Sequence, residues 1–320
     1  MEGAHHTHQT DTADSRHRFQ AILKRCEGAY SQHTLRGYGS DLEVFESWCR
    51  RNDHVALPAS PATIAAFVDA QIERVVPSTL KRRVAAIKFA HRFSDYPDPT
   101  TSSEAVLAMR RAARRKPRRP NQAKGLTARV LKAIIAHCPN TRAGLRDAAL
   151  ISVGYDTLCR CGELAAMEVE HLNIDLKGDW SLLIPRAKAD PDGDGRIAWL
   201  SPRTIELLGR WLDAAGIEAG PMFRALHRGD VSNGPLDPSS IRRLIKRAAR
   251  RADVEGELAE GLSGHSMRVG AAQDMLVAGF DSLAIMQAGG WKSAQVLLRY
   301  VENTSTRAVH AKRWMALEAE

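Results

Sequence analysis

One stretch, Arg114 to Lys124 (RRKPRRPNQAK), limits what this chain can fold into more than any other. Pro117 and Pro120 lack the backbone N–H that a helix interior or central strand requires, and the surrounding positive charge keeps the segment out of any core. Apolar residues must therefore be buried separately on either side. A chain of 320 residues is long enough for two such cores. The sequence predicts an unstructured leader over 1–16, a helical domain over 17–113, a basic linker over 114–124 and a second domain over 125–320.

Upstream of the break the apolar spacing is helical throughout. Phe19, Ile22 and Leu23 share one face ahead of Gly28. Ser31 or His33 opens a longer helix with Leu35, Tyr38, Leu42, Phe45 and Trp48 inward. Ser60-Pro61 is an N-cap and first-turn pair for a helix over Ala62 to Arg74. Pro77-Ser78 starts another, with Leu80, Val84, Ile87 and Phe89 apolar and Lys81, Arg82, Arg83 and Lys88 basic. After the turn-rich Ser94 to Thr101, Ser102 to Glu104 caps a helix to about Lys116. The expectation is a small all-helical bundle with basic faces.

Downstream, the pattern mixes helices with a little β structure. Thr127 caps a helix through about His137, and Asp147 to Asp156 reads as a long apolar helix. Strand character follows over Trp180 to Ala187 and Arg196 to Leu200, around the turn signal Asp190 to Gly195. Gly216 to Gly234 reads as irregular connections. From Pro238 a helix places Ile241, Leu244, Ile245 and Ala248 inward and Arg242, Arg243, Lys246, Arg247, Arg250 and Arg251 outward. Val301 to Thr306 reads as a polar connector before a terminal amphipathic helix, Arg307 to Glu318. The fold class is thus mainly α with a small β-hairpin.

The net charge of +9 and sequence pI near 9.5 favour a polyanionic partner. No run approaches the roughly 18 apolar residues of a membrane span, and no secretory signal opens the chain. Cys26, Cys49, Cys138, Cys159 and Cys161 form an odd, scattered set that reads as reduced thiols of a cytoplasmic protein. His5, His6 and His8 fall in the polar leader. No carboxylate or Cys/His cluster has ligand spacing, so neither a metal nor another cofactor is expected.

The densest chemistry lies between Ser263 and Tyr300, SGHSMRVGAAQDMLVAGFDSLAIMQAGGWKSAQVLLRY. His265 and Arg268 are three residues apart, and Trp291 precedes Tyr300 by nine. An arginine fork matches phosphate oxygens, an imidazole and an indole N–H add donors, and a tyrosine oxygen can attack phosphorus. Singly, each residue has an ordinary reading as a cap, a solvated group or packing. Arg160 and Glu163, one turn apart in TLCRCGEL, would by themselves be a helix-end ion pair, and Lys188 a solvated loop lysine.

Together these motifs resemble the tyrosine recombinases, or phage integrase family, and SGHSMRVGAA with IMQAGGW looks especially like its Cre-type branch. The resemblance implies an N-terminal core-binding (SAM-like) helical domain and an α+β catalytic domain. It further implies Tyr300 as nucleophile, Arg160, Arg268 and Trp291 around the phosphate, His265 and Lys188 in proton transfer, and Glu163 orienting Arg160. Arg36, Lys81, Arg82 and Lys88 would meet DNA from the first domain, and Arg242, Arg243 and Lys246 from the second. The partners implied are double-stranded DNA and further copies of the chain, joined through the terminal helix into a tetramer. The place of action would be the cytoplasm, at the nucleoid. Cys159 and Cys161 depart from the apolar residues more usual beside that arginine. Three other readings stay open: a monomeric type IB-like topoisomerase, a catalytically silent sequence-specific DNA-binding protein, and a helical scaffold.

Overall fold

Ser31 opens the first strongly amphipathic helix by accepting a hydrogen bond from the Thr34 amide at 3.2 Å. That contact satisfies one of the orphan donors of a helix N-terminus. The computed structural model describes residues 5–115, 122–185 and 195–318, and their side chains except at 5–14, 302–309, 312, 313 and 316. Lys188 lies outside the described residues. The chain divides into two compact units, Met1–Pro120 and Asn121–Glu320.

The first unit contains α1 (His5–Arg25), α2 (Gln32–Arg51), α3 (Pro61–Gln71), α4 (Pro77–Arg92) and α5 (Ser103–Arg115). Its core is closed by Leu42, Phe45, Ile64, Phe67, Leu80 and Ile87, none more than 1% exposed. Phe45 and Phe67 meet edge-on at 5.0 Å between centroids, which fastens α2 to α3. The expected leader is helical from His5 onward. Once Phe19 and Ile22 anchor α1, adding upstream turns costs little, and no proline or glycine interrupts between His5 and Arg25. α5 ends at Arg115, close to the expected end near Lys116, so Arg114 and Arg115 belong to the helix as well as to the basic stretch.

The second unit begins with an extended segment that threads under a later helix: Leu126 N donates to Ser266 O at 2.8 Å. There follow α6 (Ala128–Ala136), α7 (Arg142–Thr157) and the short α8 (Cys161–Ala165). Thr141 caps α7, so this helix starts five residues before the apolar run at Asp147. A three-stranded antiparallel sheet comes next, in the order β1 (Leu172–Ile174), β2 (Trp180–Ile184), β3 (Arg196–Trp199). In the β2–β3 register Leu182 faces Ala198 and Ile184 faces Arg196. β1 is too short, at three residues, for alternation to mark it in the sequence.

α9 (Pro202–Ala215) packs against α7 through Leu207, Leu208 and Trp211. The region expected to be irregular instead forms the hairpin β4 (Arg224–His227) and β5 (Asp230–Pro235). Its two-residue turn, Arg228-Gly229, has φ of +52° and +98°. A tight hairpin of this kind needs positive φ at both positions, and Arg-Gly lacks the usual Asn or Asp cue.

The remaining helices are α10 (Pro238–Arg251), α11 (Gly256–Gly261), α12 (Ser266–Val277), α13 (Ser282–Gly289) and α14 (Ala294–Glu318). The expected connector at Val301 to Thr306 does not exist: α14 runs unbroken through it. Asn, Thr and Ser each cost a helix only about 0.5 kcal/mol, and without a glycine or proline that is too little to stop it. Among the described residues no helix is long and apolar enough to cross a membrane.

Candidate active site

The site begins where α7 ends. Leu158 follows Thr157 with φ +52°, a left-handed turn that costs a non-glycine residue about 1–2 kcal/mol. The turn is held because Leu158 is buried and its carbonyl accepts from Arg268 Nη1 at 2.5 Å. The chain then leaves extended through Cys159 and Arg160 into α8. Glu163, on the first turn of α8, takes the Arg160 amide on Oε2 at 3.0 Å and the Arg160 guanidinium on Oε1 at 2.6 Å. Glu163 is thus buried against Arg160, whose side chain stays 26% exposed.

α12 supplies the next groups. Its first turn is buried, and a Cβ on Gly270 would overlap the Leu126 backbone, so only glycine lets α12 lie that close. His265 stands at the N-cap. Although the residue stays exposed, partial desolvation of its imidazole, reinforced by the charges of Arg268 and Arg160 and opposed by Glu163, pushes its pKa below the ordinary 6.5. Arg268 is fully buried. Burial first, then the charge of Arg160, lowers its pKa to about 10, which leaves it charged at neutral pH.

α13 ends in Gly290, in the left-handed conformation at φ +66°. The chain reverses there and lays Trp291 back over Gly289, where a Cβ would strike the indole. The Arg268 guanidinium carbon sits 3.8 Å from the Trp291 ring centroid and 5.9 Å from that of Tyr300. Trp291 and Tyr300 meet edge-on with centroids 5.3 Å apart. Tyr300 lies in α14, and its carbonyl accepts from Gln273 Nε2 of α12 at 3.2 Å.

Arg268 spends Nη1 on two carbonyls, Leu158 at 2.5 Å and Gly289 at 2.7 Å. Among the described residues its Nε and Nη2 find no partner, and neither does Trp291 Nε1. A buried donor left unmade costs about 1–3 kcal/mol, so two on a guanidinium and a third on the indole stacked against it suit an anion. The neighbouring thiols do not compete: burial raises Cys159 and Cys161 to about 11, well above neutrality.

The structure brings Arg160 and Glu163 at the start of α8, His265 and Arg268 at the start of α12, Trp291 after α13 and Tyr300 on α14 near one another, from four separate segments. Sequence reasoning missed Arg196, Gln273 and Asp274. Asp274 accepts from both the Ala128 amide and the Tyr155 hydroxyl at 2.6 Å, joining α6 and α7 to α12. None of the three lies in a motif that marks it.

The cations expected to meet DNA divide into two sorts. Arg36 and Lys81 are exposed, and Arg242 and Arg243 line a shallow depression on α10 with Ser239 and Lys246. Others are already engaged: Arg82 grips the buried Asp41 with two bonds of 2.7 and 3.0 Å, and Lys88 lies 3.0 Å from Asp98. Lys246 reaches Glu260 at 2.9 Å. Periodicity gave their face but not their partners.

Residues 124–307 match the phage integrase family, and residues 17–94 match the phage integrase N-terminal SAM-like domain. The chain is 27% identical over 300 residues to recombinase cre of Escherichia phage P1, covering 86% of this chain and 85% of that protein. It is 28% identical over 290 residues to an integrase/recombinase xerD homolog of Selenomonas ruminantium, covering 87% and 84%. In fold it is similar to the XerH site-specific recombinase bound to difH substrate, with TM-score 0.64 at 15% identity over 89% of this chain and 81% of that one. With residues 124–307, more than half of its length, matched by the family, the chain belongs to the phage integrase family of tyrosine recombinases.

Proposed function

We propose that this chain is a site-specific DNA recombinase that cuts and rejoins double-stranded DNA through a covalent tyrosyl intermediate. The observation that carries this reading is the buried Arg268–Trp291 pair, three donor atoms unpartnered among the described residues, beside the Tyr300 ring. Donors preorganised in a dry site stabilise charge that develops on a phosphoryl group.

In the proposed reaction the Tyr300 oxygen attacks the scissile phosphorus and the bond from phosphorus to the 5′ oxygen breaks. His265, held neutral by its surroundings, accepts the phenolic proton. Lys188 gives a proton to the departing 5′ oxygen. Arg160, oriented by Glu163, joins Arg268 and Trp291 on the nonbridging oxygens. The product is a 3′-phosphotyrosyl link and a free 5′-hydroxyl. Attack by a 5′-hydroxyl from the second duplex reverses each step and passes through a Holliday junction. The phosphoester bond is exchanged rather than hydrolysed, so no high-energy cofactor is consumed.

DNA would be held by Arg36 and Lys81 of the first domain and by the α10 face that carries Arg242 and Arg243. The apolar side chains Trp314, Met315 and Leu317 are exposed on the last turns of α14, at 60%, 70% and 53%. Their exposure supports docking of this helix on a second copy, in a tetramer on two sites. The setting would be the cytoplasm, at the nucleoid.

Covalent trapping on a nicked suicide duplex tests the reading, with the duplex carrying a site selected by gel shift from random sequence. The expected outcome is a protein–DNA adduct on a denaturing gel that is absent for Tyr300→Phe, while the variant still binds. Binding without any adduct would instead identify a catalytically silent DNA-binding protein. Relaxation of supercoiled plasmid by a monomer without strand exchange would identify a topoisomerase.

A further inference from the structure

Arg196 is the first residue of β3 and faces inward, opposite Ile184. Its Nη2 donates to Thr157 O at 2.6 Å and lies 3.4 Å from Cys159 Sγ, while its Nη1 donates to Ala288 O at 2.8 Å. Arg268 takes the adjacent carbonyls, Leu158 O and Gly289 O. Two guanidinium groups therefore lace the same two turns together through consecutive carbonyls, 157 and 158 on one side, 288 and 289 on the other.

Both turns present phosphate-binding groups of the proposed reaction. The first contains the strained Leu158 and delivers Arg160 two residues later; the second delivers Trp291. Gly290, between the lacing and Trp291, leaves little room for a side chain: a Cβ there would meet Arg196 Cδ at 3.0 Å. Arg196 also frees Arg268. Because it holds two of the four carbonyls, Arg268 spends one nitrogen on structure and keeps Nε and Nη2 for a ligand.

We propose that Arg196 is a positioning residue for strand cleavage: it holds the turns after α7 and α13 so that Arg160, Arg268 and Trp291 converge on one phosphate. This rests on the recombinase reading above. It predicts a defect in the chemical step rather than in DNA binding, because the groups that Arg196 arranges act on the transition state. A misplacement near 1 Å in such a site costs about 10²-fold in rate.

The test is single-turnover formation of the covalent adduct by wild type, Arg196→Met and Arg196→Lys, with duplex affinity measured in parallel by gel shift. Arg196→Met should form adduct about 10²-fold more slowly at saturating DNA, with affinity within about 2-fold of wild type. Arg196→Lys, which keeps the charge but holds two carbonyls less well, should recover part of that loss. A second substrate with sulfur at the 5′-bridging position separates two roles, since a thiolate leaves without a proton. Arg196→Met should lose as large a factor on the sulfur substrate, whereas Lys188→Ala should regain most of its loss there.

A wild-type adduct rate in Arg196→Met would overturn the proposal. So would rescue by sulfur, which would mean that β3 serves the leaving-group proton rather than the phosphate cradle. Loss of duplex affinity equal to the loss of rate would reduce Arg196 to a fold-stabilising residue and overturn it too. Absence of adduct from wild type itself, with binding retained, would instead bring down the recombinase reading on which the proposal stands.

Discussion

The Arg268 guanidinium carbon lies 3.8 Å from the centroid of the Trp291 indole, a buried cation over the π face of a buried ring. Each residue fixes the other: the indole stacks the cation where carbonyls hold one nitrogen, and the cation confines the indole beside Tyr300. Their remaining donors point at no described protein acceptor.

Arg268→Lys keeps the charge but removes the planar fork. Adduct formation should fall by about 10²–10³-fold, the usual effect of deleting a transition-state donor. Stability should fall by about 1–3 kcal/mol, since Leu158 O and Gly289 O lose a shared donor. Single-turnover rates and urea melts measure the two effects; a lysine variant with the wild-type rate would contradict the assignment.

At Trp291 two substitutions separate donor from packing. Trp291→Phe keeps an aromatic face under Arg268 and should cost stability less than about 1.5 kcal/mol, while slowing cleavage by about 10-fold or more through loss of Nε1–H. Trp291→Ala should add about 3–5 kcal/mol of destabilisation, because the indole is 5% exposed in the cluster with Leu158, Ile285, Leu297 and Val301. Equal rates for Trp291→Phe and wild type would show that the indole serves packing alone.

His265 titrates below the ordinary 6.5, first because it is desolvated and then because Arg268 and Arg160 repel a third positive charge. NMR titration of the DNA-free protein, assigned with His265→Gln, should place its midpoint below 6.5. Between the two midpoints the unfolded chain binds more protons than the folded one. The stability linked to this group is therefore complete above the unfolded value and lost as pH falls towards the folded one. A midpoint above the ordinary value would show that the imidazole is stabilised as a cation, unfit to accept the tyrosine proton at neutral pH.

On α10, Arg242→Ala should lower the slope of log affinity against log salt by about 1, the effect of one lost phosphate contact. Lys246→Ala should change the slope less, because Glu260 already neutralises that ammonium at 2.9 Å. Equal slopes for Arg242→Ala and wild type would remove Arg242 from the DNA face.

The candidate site was suggested in sequence by a family resemblance carried on fixed short spacings: His265 to Arg268, Trp291 to Tyr300, Arg160 to Glu163. Local chemistry and helix geometry fix such spacings, and they read the same before and after folding. The unbroken α14 was less legible, because the small propensity penalties of Asn303, Thr304 and Ser305 look like a connector when summed by eye. The β4–β5 hairpin was hidden by an Arg-Gly turn that offers no strong residue signal.

By itself the sequence determined that the chain folds as two units around a proline-broken basic stretch. It also placed the residues that carry the family resemblance, His265, Arg268, Trp291 and Tyr300, within one short stretch of the second unit. Apolar periodicity, capping and proline chemistry act over a few residues, so they are written locally. Only the tertiary structure decided which charges are spent and which are available. Arg82 and Lys246 bond to carboxylates 41 and 14 residues away, and Arg196 and Arg268 bind carbonyls up to 110 residues distant. Pairings over that distance depend on which segments packing brings together, and packing is a property of the whole core rather than of any one stretch.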